Sequence, residues 1–144
     1  MEKQSYARHA KYVPMFHVVL FGLLVLTFFG SVVNLVKSFG DHSRLYNASL
    51  LCVLSFAMLL LFYYCRTFPL KAQDRAIRAE ENLRHFVLSG KTLDSRLTIK
   101  QIVGLRFASD GEFVELAKKA ASEGLSADTI KRSVKTWRAD HDRL

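Results

Sequence analysis

The sequence has 144 residues, half of them hydrophobic, and a formal net charge of +8. That length admits one small domain with a few extra elements, and two cysteines are too few for a disulfide framework. The basic balance does not by itself point to nucleic acid, because many of the cations flank two apolar runs where anionic lipid head groups would attract them.

Residues 1–11 form a short polar lead, expected in the cytoplasm. From Tyr12 to Val36 there is no Asp, Glu, Lys or Arg, and from Leu45 to Cys65 there is none either. A helix needs about 20 apolar residues to cross a bilayer core, and both runs reach that length. An all-apolar helix has to be buried on every side, so a soluble protein has little reason to collect its apolar residues this way. The pattern predicts a transmembrane hairpin over 12–68, with helices at about 13–36 and 46–66 and an outer loop 37–44. Pro14 suits a first helical turn. The first run exceeds the apolar core of a secretory signal and no small-residue cleavage site follows it, so it is expected to stay as an anchor.

The connecting KSFGDHSR is short enough to force an antiparallel hairpin. It carries Lys37 and Arg44, whereas Lys3, Arg8, Lys11, Arg66, Lys71, Arg75, Arg78 and Arg84 lie on the other side. Eight cations against two place both termini in the cytoplasm. Tyr12, Tyr63 and Tyr64 are expected at the cytoplasmic interface and Tyr46 at the outer one. Thr27 and Ser31 on the first helix, and Ala48, Cys52 and Ser55 on the second, have the spacing of small-residue packing faces. Asn47 is expected to cap the second helix rather than to carry a glycan. Cys52 and Cys65 share a helix and sit roughly 20 Å apart at about 1.5 Å per residue, too far to pair.

Residues 69–144 are expected to form a cytoplasmic helical domain. It opens on Pro69, which removes a backbone hydrogen bond and predicts a kink or a restart. Ala72, Ala76, Ala79, Leu83 and Phe86 then recur at alternating steps of four and three, one face of a helix of roughly five turns. This face is a candidate partner-contact seam. Lys71, Arg75 and Arg78 form a separate basic line; with Arg66 they are candidate contacts for anionic lipid, worth on the order of 1 kcal/mol each. Asp74–Arg78 and Glu80–Arg84 have ion-pair spacing, and Gly90 suits a helix stop. After the linker KTLDSR, Thr98 with Gln101 and Ser109 with Glu112 have the form of capping boxes. The second opens a helix with Phe113, Leu116, Ala117 and Ala120 on one face, ending near Gly124. Ser126 caps a last helix with Ile130, Val134 and Trp137 on its apolar side. The fold class is thus an all-α membrane protein: a two-helix transmembrane hairpin, a juxtamembrane amphipathic helix and about three short cytoplasmic helices.

KAQDRAIRAEENLRHF (Lys71 to Phe86), LRFASDGEF (Leu105 to Phe113), TWRADH (Thr136 to His141) and KYVP (Lys11 to Pro14) resemble the hallmark segments of a family of small bacterial membrane proteins classed as a domain of unknown function. The resemblance covers nearly the whole chain. It implies two membrane helices, a helical C-terminal tail and a bacterial inner-membrane location. The family pattern often has Arg at the position of Lys11 and a second acidic residue at that of Gly111. The resemblance implies no activity and no catalytic residues.

The residues themselves offer little chemistry. His9, His17, His42, His85 and His141 are scattered, and Asp140-His141-Asp142 sits at the chain end. There is no glycine-rich phosphate loop and no nucleophile elbow. No metal, no cofactor and no enzyme made of this chain alone is expected. His17, Thr27, Ser31 and Asn34 are the polar groups of the first run; two helices cannot enclose a pore, so transport would need further subunits. Lys131, Lys135 and Arg138, with Arg132 beside them, would make a last helix basic enough to mimic a helix-turn-helix. A membrane-tethered nucleic-acid-binding protein is therefore the alternative reading, although Trp137 has core spacing and Asp140 and Asp142 dilute the charge. An enzyme subunit completed by other chains is a third. The leading expectation is a non-catalytic membrane accessory or scaffold protein. Its seam would be covered by its own small helices, by another copy, or by a larger membrane assembly.

Overall fold

The computed structural model describes residue 6 and residues 12–139. Lys3, Arg8, His9, Lys11 and the Asp140-His141-Asp142 group lie outside the described residues. Among the described residues every regular element is a helix, and there is one isolated antiparallel bridge between Ala108 and Trp137. A π-helical segment, Met15–Leu20, runs into α1, Phe21–Lys37. Then come α2, His42–Ser89; α3, Ile99–Leu105; α4, Asp110–Glu123; and α5, Ala127–Ser133. The chain divides into two compact units, Tyr12–Pro69 on one hand and Met1–Lys11 with Leu70–Leu144 on the other.

In the first unit, α1 faces the N-terminal part of α2. Ala48 and Ser55 are buried and Cys52 is half-buried, so the small stripe expected on the second helix packs inward. Ser31 meets Ser55, hydroxyl to hydroxyl, at 2.9 Å. One hydroxyl donates this bond and the other is free to donate to its own helix, the Phe28 carbonyl lying 2.7 Å from the Ser31 hydroxyl and the Cys52 carbonyl 3.0 Å from that of Ser55. Thr27 and Gly30 face outward instead, because Leu24, Val25, Phe28, Ser31 and Leu35 form the inward row at helical spacing. Phe16 stacks on Phe62 at 4.4 Å between ring centroids. The second helix begins at His42 rather than at about 46, and Asp41 caps it in place of Asn47. The Asp41 carboxylate accepts from the backbone N–H groups of Ser43 and Arg44, both at 3.2 Å.

Pro69 neither breaks nor restarts the helix: α2 runs continuously from His42 to Ser89 with the proline inside it. The juxtamembrane amphipathic helix expected as a separate element is therefore the C-terminal part of α2. A proline removes one N–H and crowds one preceding carbonyl, and the good helix formers around it sustain the rest of the ladder.

In the second unit, α3, α4 and α5 enclose a core of Leu97, Ile102, Leu105, Ala108, Phe113, Leu116, Ala117, Ala120, Ile130 and Val134. Both capping boxes form, at Thr98–Gln101 and at Ser109–Glu112. Gly124 ends α4 in the left-handed region, with φ 63°. Gly104 allows α3 to approach α5 closely: a Cβ there would lie 3.1 Å from the Ala127 carbonyl. The last helix is shorter than its pattern predicts. It stops at Ser133, and Val134 is extended, with φ −66° and ψ 119°.

Candidate functional site

The C-terminal part of α2 divides its two faces cleanly. Ile77, Glu81 and His85 are buried on one side, at 6%, 6% and 9% exposure, against the loop after α2 and the small helices. The seam residues Ala72, Ala76, Ala79, Leu83 and Phe86 are all exposed, Leu83 at 65% and Phe86 at 52%. At about 100° per residue, the two sets lie roughly half a turn apart around the helix. Of the three coverings open to the seam, folding back of the chain's own small helices is ruled out. Val87, 74% exposed, widens the apolar face.

The covered face is polar as well as apolar. Arg84 is its centre: its guanidinium donates to Glu81 at 3.0 Å, to the Ala108 carbonyl at 2.7 Å and to Asp110 at 2.7 Å. It also lies over the Phe113 ring, 4.4 Å from the centroid. Spacing along the helix pointed to Glu80 as its partner; the tertiary acceptors instead turn the guanidinium toward Glu81. Asn82 accepts the Leu93 N–H at 2.9 Å, and the His85 Nδ1 meets the Lys91 carbonyl oxygen at 2.7 Å. These three side chains fasten the domain to the helix.

Glu112 fastens the segment that follows α5. Its carboxylate accepts from the backbone N–H groups of Lys135 and Thr136, both at 3.0 Å, besides closing the capping box on Ser109. Burial pushes the Glu112 carboxyl up, but the backbone donors of Lys135, Thr136 and Ser109 together outweigh it and leave it lowered. The Arg138 N–H reaches the Phe107 carbonyl at 2.8 Å. This clasp holds residues 134–138 in a non-helical path, so Lys131, Lys135 and Arg138 do not share a helix face. Trp137 packs by Phe107, 4.8 Å between centroids, rather than extending the α5 stripe.

Sequence spacing gave no sign of a contact from the N-terminal lead. The Tyr6 hydroxyl donates to Asp128, and Arg132 donates to the Tyr6 hydroxyl at 3.0 Å with its guanidinium 4.9 Å from the ring centroid. Both partners are on α5. The Tyr6 hydroxyl, followed by the Arg132 charge, lowers the Asp128 carboxyl.

Of the four candidate lipid contacts, Lys71, Arg75 and Arg78 are exposed and Arg66 is half-buried. A cleft of about 720 Å³ lies between the loop after α2 and α4, lined by Lys91, Asp94, Arg96, Glu115 and Lys118 among others. Arg96 holds the Asp94 carboxyl down at about 2 through its side-chain and backbone hydrogen bonds. Among the described residues, no group of three or more His, Cys, Asp or Glu side chains is placed to hold a metal ion.

Two helices, Met15–Lys37 and His42–Ser89, are long and apolar enough to cross a membrane, with mean hydropathies of 2.4 and 2.2 over their most apolar windows. The fold therefore defines a class of small all-helical proteins in which an apolar hairpin carries a compact helical unit. The chain belongs to a family of unknown function, DUF6526, whose model matches residues 1–144. No match is found among curated proteins or among solved structures.

Proposed function

We propose that this chain is a multi-pass protein of the bacterial inner membrane with both termini in the cytoplasm. It acts there as a non-catalytic accessory or scaffold subunit. The observation that carries the reading is the uncovered face of α2. An apolar helical row running from Ala72 to Phe86 is left open while Ile77, Glu81 and His85 on the opposite face are buried by the chain's own domain. Exposed apolar rows of this kind mark protein contacts.

The membrane placement draws on the outward apolar side chains of the hairpin, among them Leu26, Phe29, Val53 and Leu61. Lipid can cover such a surface and water cannot do so without penalty. The placement of the termini draws on Tyr6, which precedes the hairpin and meets Asp128 and Arg132, which follow it. Two segments in contact lie on the same side of a bilayer, as an even number of crossings requires. Lys71 and Arg78, with Arg66, face anionic head groups on that side.

Purification from the native membrane in mild detergent, followed by mass measurement of the intact complex, tests the reading. A complex larger than one chain is expected, and it should be reduced by Leu83→Asp. A strict monomer with no co-purifying protein would rule the scaffold role out.

A further inference from the structure

We infer that the open face of α2 pairs with the same face of a second copy of this chain, the two helices running parallel, with Arg75 of each copy against Glu80 of the other. The inference rests on the reading of the face as a protein contact and names its occupant.

The alternation of four and three residues through Ala72, Ala76, Ala79, Leu83 and Phe86 is the seven-residue repeat of a left-handed coiled coil. Alanine at three of these positions lets two backbones come close, and Leu83 and Phe86 supply the buried bulk. The chain's own domain occupies the far side of the helix, at Ile77, Glu81 and His85, so a second helix on the open side does not compete with it.

Charge selects the partner and its direction. Arg75 stands just before the core position Ala76, and Glu80 just after Ala79. In a parallel pair these flanking positions of opposite helices meet and set partner choice. Two-fold symmetry then gives each contact twice. Both side chains are exposed, and among the described residues neither holds an ion pair within its own chain. The other flanking residues, Gln73, Asn82, Val87 and Ser89, carry no charge to oppose the pairing. An antiparallel pair would put these two flanking positions on opposite sides of the seam, so Arg75 would not meet Glu80. Parallel is also the direction a bilayer imposes, since every copy enters it the same way round.

Disulfide cross-linking of the full chain in native membranes tests this. In a Cys52→Ser, Cys65→Ser background, Ala79→Cys or Leu83→Cys should give a species of twice the chain mass on mild oxidation. Arg78→Cys, exposed on the flank, should stay monomeric. In the Leu83→Cys background, Arg75→Glu should lower the cross-linked fraction about tenfold, because both attractions across the pair become repulsions. Adding Glu80→Arg should restore it. Trp137 fluorescence confirms that each variant is folded. Equal cross-linking at Arg78→Cys, or charge reversal without effect or without rescue, would overturn the self-pairing. Cross-linking of Leu83→Cys to a different protein alone would overturn it too but leave the contact-face reading standing. No cross-link of any kind would remove both.

Discussion

Arg84 gathers three separate parts of the helical unit. It holds Glu81 on its own helix, the carbonyl of Ala108 before α4, and Asp110 at the start of α4. Its side chain is 11% exposed and that of Glu81 9%, so removing one leaves the other charged and buried. Arg84→Ala is expected to destabilise the unit by about 3 kcal/mol in urea unfolding of the detergent-solubilised protein. Glu81→Ala added to it should recover part of that loss. Asp110→Asn should cost below about 1 kcal/mol, because Asp110 is largely exposed. Arg84→Lys should not substitute, since an ammonium cannot reach three acceptors in a planar fork. Glu112 gives the same unit a pH dependence. Its carboxyl is lowered in the folded state from an ordinary value of 4.5, so its contribution is present above that value and is lost as the pH falls through the folded one. Unfolding followed by Trp137 fluorescence between about pH 6 and pH 3 should show stability falling with acid, and Glu112→Gln should flatten the fall.

At the scale of elements, α2 departs most from its pattern. A proline inside a helix interior costs about 3 kcal/mol, so Pro69→Ala should leave the helix in place and slow hydrogen exchange of the amides around it. The continuity of α2 was not legible in the sequence, because a proline's local penalty is visible there and the length of helix that outweighs it is not. The capping boxes at Thr98 and Ser109 and the stop at Gly124 were legible, since each is a short-range exchange of hydrogen bonds between residues a few positions apart. The early end of α5 was not. It depends on Glu112 taking the N–H groups of Lys135 and Thr136, a pairing across more than twenty positions that no local spacing signals. The seam stood out as a periodic row from Ala72 to Phe86. What periodicity could not say was which of two apolar sides the domain would take. Ile77 lies off the row, and Glu81, Arg84 and His85 look like surface until their partners are known. Polar side chains thus did the fastening and left the smoother apolar row free.

For the whole molecule, the proposed topology has a direct readout. In a cysteine-free background, Phe39→Cys in the turn between α1 and α2 should react with a membrane-impermeant maleimide in cells whose outer membrane alone has been opened. Ser95→Cys, in the exposed loop before α3, should react only after the inner membrane is broken. The reverse labelling would invert the proposed orientation. Phe39 and Ser95 are both exposed, so accessibility and not burial decides the result.

The contact of Tyr6 with Asp128 and Arg132 also sets an order of events in biosynthesis. Tyr6 leaves the ribosome well before its partners, Asp128 following 122 positions later. At about 5–20 residues per second, Tyr6 waits roughly 6–25 s for them. During that interval both helices of the hairpin have emerged. The tie closes only on a chain whose second helix has already been made, so it forms after both helices of the hairpin, and a bulky tag fused ahead of Tyr6 would stand in its way.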